Sequence, residues 1–273
     1  MNRLGNRSVL NRNRTLHASI LSRFDIPFES GKSPTVTPTF LSVAPPSRNV
    51  LNSQPLTAQP LINVEHAFSS TMSKEGQSLL YELPSILERL DLSKLFPVHQ
   101  PLEVELGSGD GTFLVDLAKR HPEHNFIGIE RLLGRIRKMG RKARRAELAN
   151  LRGVRIESSY FLERLLPPHS VEALHIYFPD PWPKRKHRRY RLINERFPQL
   201  AHSALRAGGT VYLRTDDRDY FDQMNEVFSA SPLFRPSETP AELAGLLTDF
   251  EKEFQARGIG TLCAAYQCVS TET

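Results

Sequence analysis

The sequence predicts an α/β fold built on a doubly wound, mostly parallel sheet. Three observations carry that prediction. From residue 102 onward, apolar runs of strand length alternate with segments of helical period. A glycine-rich turn holding Gly107, Gly109 and Gly111 directly follows the first of these runs. An acid, Glu130, closes the next run, nineteen residues after Gly111, where doubly wound folds place a carboxylate on ribose hydroxyls.

The elements follow in order. Residues 102–106 (LEVEL) read as a strand, 112–120 (TFLVDLAKR) as a helix and 125–129 (NFIGI) as a second strand. Over 131–149 the apolar residues Leu132, Ile136, Met139, Ala143 and Ala146 step by four and three, which predicts a long helix. Residues 153–157 (GVRIE) and 171–178 (VEALHIYF) read as strands, the second buried on both faces through most of its length. A helix near 191–206 leads into a strand over 208–215, and a further helix runs near 217–229. Residues 239–258 read as one helix stopped by Gly258, and 261–269 as the last strand. Ligands of such sheets lie beyond the carboxyl ends of the strands.

Composition bounds the partners. With 39% hydrophobic and 24% charged residues the chain is globular in type, and no run reaches the length of a membrane-spanning helix. Lys and Arg number 36 against 30 acids, a net charge of +6, and the pI is near 9.4. That excess favours polyanionic partners, nucleic acid first and an anionic membrane second. Cys263 and Cys268 lie five apart on one strand and so face opposite ways. They read as two small core residues of a reducing compartment, and no Cys/His spacing calls for a metal.

Residues 1–71 differ from the rest. No acid precedes Asp25, and prolines recur at 27, 34, 38, 45, 46, 55 and 60 without periodicity. Such a segment predicts disorder, so the domain is expected over 72–273. Three readings of the extension stand: an idle tail, a start at Met72, or a transit peptide. The chain is accordingly expected in the cytoplasm, or in an organelle if the transit reading holds.

The turn after the first strand reads E-x-G-x-G-x-G, with Glu105 before Gly107 and Gly109. A dinucleotide fingerprint wants its third glycine one residue later, where Thr112 stands. Glu105 suits a ligand bearing an amine better than a diphosphate. The pattern therefore favours S-adenosyl-L-methionine and a methyltransferase, with a nicotinamide enzyme as the second reading. Glu130 is either the ribose ligand or a cap of the helix after it.

Beyond 171–178 comes YFPDPWPKRKHRRYRL. Pro179, Pro181 and Pro183 stiffen the turn that presents Asp180 and Trp182, the lone tryptophan. Six of the eight residues from Lys184 to Arg191 are Lys or Arg, with His187 and Tyr190 between them. Such a run binds phosphates and offers rings to exposed bases. The predicted helix over 131–149 adds a second basic surface through Arg131, Arg135, Arg137, Lys138, Arg141, Lys142, Arg144 and Arg145. Nucleic acid is the leading partner.

Taken with ELGSGDG and FIGIE, this segment resembles the tRNA (guanine-N7-)-methyltransferase family over roughly residues 75–268. The resemblance implies a Rossmann-like class I methyltransferase with a seven-stranded sheet, using S-adenosylmethionine to methylate guanine 46 of tRNA. It assigns Glu105 and Glu130 to the cofactor, and Asp180 to the reaction and the cofactor together. Lys184, Asp216 and the run Thr248, Asp249, Phe250 and Glu251 are assigned to substrate. After the third strand the family has Asp-Ala or Asn-Ala against the adenine. Here the residues are RIESSY, so Glu157 or Ser158 must substitute. The resemblance leaves monomer against homodimer undecided.

Overall fold

A computed structural model describes residues 79–269. The extension predicted over 1–71 lies outside the described residues.

The described chain forms one eight-stranded sheet flanked by helices. In chain order the elements are β1 (Leu80–Tyr81), β2 (Leu102–Leu106), α1 (Thr112–Arg120), β3 (Asn125–Ile129), α2 (Leu133–Arg145) and β4 (Leu151–Val154). There follow a short helix α3 (Ser158–Tyr160) that continues as a π-helical turn to Leu165, then β5 (Val171–Tyr177) and a 3₁₀ segment Arg185–Tyr190. The last part holds α4 (Phe197–Ala204), β6 (Leu205–Thr215), α5 (Arg218–Ser229), β7 (Phe234–Ser237), α6 (Ala241–Gly245), α7 (Asp249–Gln255) and β8 (Leu262–Cys268).

The strand order is β1-β4-β3-β2-β5-β6-β8-β7. Pairs from β1 to β6 are parallel, and β8 runs antiparallel to both β6 and β7. The count is eight against the seven expected. The addition is β1, a two-residue edge strand beside Gly153 and Val154. Chain order turns back between β2 and β5, and such a switch point opens a crevice at the carboxyl ends of the strands.

Both faces of the sheet are covered. On one, Phe113, Leu114, Ile136 and Met139 of α1 and α2 pack with Leu243 and Leu246. On the other, Phe161, Phe197, Tyr220 and Phe228 pack on Val104, Leu174 and Val211. The apolar stripe read over 131–149 is seen at Ile136, Met139 and Ala143, while Leu132 stays 41% exposed ahead of the helix. Cys268 is buried and Cys263 exposed, both free. The alternation of faces is as read from the sequence, but only Cys268 is a core residue.

Candidate active site

The glycine turn after β2 is held by its neighbour strand. The N–H groups of Gly107 and Ser108 both donate to the Ile129 carbonyl, at 2.8 and 2.9 Å. Gly107, Gly109 and Gly111 all adopt positive φ, at 79°, 57° and 75°, a region that only glycine enters without strain. A Cβ on Gly107 or Gly109 would meet nothing within 4 Å, whereas one on Gly111 would lie 2.2 Å from Met139 Cγ. The front of the loop therefore faces open space, and its rear is packed on α2.

Glu105 and Glu130 end adjacent strands. Glu105 is 4% exposed, and its Oε2, like Ser108 Oγ, is buried without a hydrogen-bond partner among the described residues. Burial pushes its carboxyl well above the ordinary range; the Arg214 charge opposes this, and Asp110 and Glu130 add to it. Glu130 is also buried, and one of its oxygens accepts from Leu132 N–H at 2.7 Å, just before α2. The capping alternative thus describes a real bond, though it engages only one carboxylate oxygen.

At the end of β4, Glu157 is exposed and caps α3, accepting from Ser159 and Tyr160 N–H at 2.9 and 2.8 Å. Ser158 is half-buried at the first position of α3. Both carboxylate oxygens of Glu157 are thus engaged in capping.

Asp180 is exposed, three residues past the end of β5. Two residues of its turn, Phe178 and Trp182, have positive φ of 51° and 43° although each precedes a proline. Such backbone costs on the order of 1–3 kcal/mol per residue and persists only where the surroundings impose it. Beneath the Trp182 side of the turn lies Arg191, 1% exposed. Its guanidinium donates to the Pro181 carbonyl at 2.7 Å, to Asp219 at 2.6 Å and to Gln223 at 2.7 Å, above the Tyr220 ring. Phe178 lies against Phe250 and Phe254, with centroids 6.1 and 5.7 Å away.

Lys184 is exposed and precedes the 3₁₀ segment. Asp216 is half-buried directly after β6, the strand next to β5. The run Thr248–Glu251 begins α7. Thr248 and Glu251 form a reciprocal capping box, and both are buried. Glu251 also pairs with Arg214 at 3.0 Å. Asp249 accepts from Thr112 Oγ1 at 2.7 Å, and Lys142 bonds Asp110 at 2.9 Å and Thr112. The carboxyl-terminal helices are thereby tied to the glycine loop and to α2.

The structure accordingly gathers Glu105, Gly107, Gly109, Glu130, Ser158, Asp180 and Asp216 at the carboxyl ends of five parallel strands. Thr248 and Glu251 serve the architecture beside them. Sequence reasoning missed Arg214 and Arg191. A lone arginine inside the otherwise apolar run TVYLRT was the available sign of the first. The second was hidden within a basic run whose other members are mostly exposed.

The fold, with these acids and glycines at its strand ends, is that of a Rossmann-like methyltransferase. Residues 99–264 match the family described as "Putative methyltransferase". The chain is 36% identical over 185 residues to a tRNA (guanine-N(7)-)-methyltransferase of Rubrobacter xylanophilus, covering 66% of this chain and 82% of that protein. A namesake from Sodalis glossinidius is 36% identical over 176 residues, 63% of this chain and 74% of its own. One from Thermotoga maritima is 37% identical over 145 residues, 53% of this chain, and the chain spans only 46% of its length. The chain belongs to the tRNA (guanine-N7-)-methyltransferase family. Among solved structures, the 16S rRNA methyltransferase KamB aligns with a TM-score of 0.49 at 16% identity, over 67% of this chain and 95% of that one. That likeness is too distant to bear on substrate.

Proposed function

We propose that the protein transfers a methyl group from S-adenosyl-L-methionine to N7 of guanine 46 in tRNA. The observation that carries this reading is the orphaned, buried carboxylate oxygen of Glu105 beside an open glycine cradle. An ammonium-bearing ligand with no diphosphate is what such a seat fits, since it supplies both charge and donors to a group otherwise costly to bury. Glu130 would hold the ribose and Ser158 the adenine edge. The names of the relatives support tRNA and guanine N7 as the target; residue 46 comes from the family resemblance.

When bound, S-adenosylmethionine supplies an electrophilic methyl on sulfur. Guanine N7 carries a lone pair and no proton, so its attack needs no general base. What the protein must supply is position, and a turn held by buried Arg191 does so with little freedom left to lose. Asp180 accepts hydrogen bonds from guanine N1–H and the 2-amino group, which adenine lacks. Its charge also offsets the positive charge that the ring gains on methylation. Lys184 and the exposed cations of α2 hold the phosphates. No helix of the described residues is long and apolar enough to cross a membrane.

The test is incubation of the full chain with unmodified tRNA and methyl-labelled S-adenosylmethionine, followed by chemical strand cleavage at N7-methylguanine. Cleavage at guanine 46 is expected. Label on adenine, or at another guanine, would replace this reading with a different nucleic-acid specificity.

A further inference from the structure

The segment after Asp180 carries more than charge. Trp182 and Tyr190 are among the few large hydrophobic side chains left exposed, at 36% and 53%. With His187 they form one aromatic cluster: Trp182 to Tyr190 5.3 Å, Trp182 to His187 5.8 Å and His187 to Tyr190 6.0 Å between centroids. Arg189 lies over the Tyr190 ring at 4.9 Å and donates to its hydroxyl at 2.9 Å. Lys184, Arg185 and Lys186 on the rim have no acid partner among the described residues.

The cluster is held outward by the backbone beneath it. Trp182 takes a left-handed conformation before Pro183, and buried Arg191 locks the Pro181 carbonyl. A protein partner would want an apolar or acidic counterpart, and the rim is cationic with aromatic faces between. That pairing matches a strand of alternating phosphate and π-faced base. We infer that Trp182, with His187 and Tyr190 tilted against it, forms a platform on which one unpaired nucleobase of RNA stacks. Only the identity of the RNA rests on the function proposed above.

The chain has one tryptophan, so its emission reports this platform alone. The full chain is titrated with a single-stranded adenine hexanucleotide and, separately, with inorganic polyphosphate, which offers charge without bases. The platform predicts saturable quenching by the oligonucleotide, and polyphosphate that displaces it without itself quenching. Tyr190→Ala is expected to weaken oligonucleotide binding on the order of tenfold, and Tyr190→Phe to retain it. Equal quenching by polyphosphate, or binding that neither alters emission nor responds to Tyr190→Ala, would overturn the platform. Methyl transfer to tRNA is scored independently. Quenching without transfer removes the proposed reaction and leaves the platform, whereas transfer with unquenched Trp182 does the reverse.

Discussion

Arg214 and Glu251 form an ion pair of 3.0 Å in which both side chains are almost wholly buried, 2% and 4% exposed. Arg214 also donates to the carbonyls of Leu246, at 2.8 Å, and Leu243, and it stacks over Tyr177 at 4.3 Å. One guanidinium thus joins the end of β6 to α6 and α7, beside Glu105.

Removing one partner leaves the other charged and buried. Glu251→Gln or Arg214→Met is expected to destabilise the fold by about 3–5 kcal/mol, read from urea unfolding midpoints. The double variant Arg214→Met/Glu251→Leu should recover part of that loss. Near-neutral single variants would mean that the pair is solvated in solution.

Glu105 gives a pH dependence of definite sign. Its folded pKa is raised by burial, so its contribution to stability is fully present below the unfolded value and is lost as pH rises through the folded one. Stability of the cofactor-free chain should fall across that window, and Glu105→Gln should flatten the fall. A cofactor ammonium favours the ionised form, so binding should release protons wherever the free chain still holds that carboxyl protonated. Calorimetric titration in buffers of differing ionisation enthalpy reads that release, and Glu105→Gln should abolish it.

The glycines of the loop separate by what stands behind them. Gly111→Ala places a methyl against Met139 in a left-handed conformation, adding an overpacking cost of about 1–3 kcal/mol to about 1–2 kcal/mol of backbone strain. Gly109→Ala meets only open space, so its stability cost should be the backbone part alone, with the larger effect on cofactor affinity. Thermal unfolding compares them, and the losses from Gly111→Ala and Met139→Ala should be less than additive in the double variant.

Much of the sheet was legible because its strands are bounded by turn residues. LEVEL ends at glycine, and both it and NFIGI have the limits read from the sequence. Where tertiary interactions decide, the pattern misled. Residues 239–258 read as one helix, yet the chain breaks at Leu246 to Thr248. There Arg214 collects the carbonyls of Leu243 and Leu246, and Thr248 caps a new helix. The helix expected near 191–206 begins only at Phe197, since Arg191 turns inward to the Asp180 turn. Strand β4 lies over 151–154 and not 153–157, because Glu157 caps the next helix. Strand β7 contains Pro236 and has no alternation of its own; it exists through pairing with β8. Of the site, the acids and glycines were readable at strand ends. The arginines that position them were not, because their partners are distant in sequence.

Helix α2 predicts a salt signature. Arg137, Lys138 and Arg141 are exposed on it, and none has an acid partner among the described residues. Replacing all three by Gln should weaken tRNA binding. It should also reduce the slope of log affinity against log salt by roughly one for each phosphate that the helix no longer neutralises. An unchanged slope would place the tRNA elsewhere.

The proposed reaction requires that the turn held by Arg191 present Asp180 to the target guanine. Single-turnover methyl transfer to tRNA by the Asp180→Ala variant, paired with equilibrium binding of S-adenosylmethionine to the same protein, tests it. Transfer is expected to be lost while the cofactor still binds measurably. Full transfer by Asp180→Ala would contradict the placement.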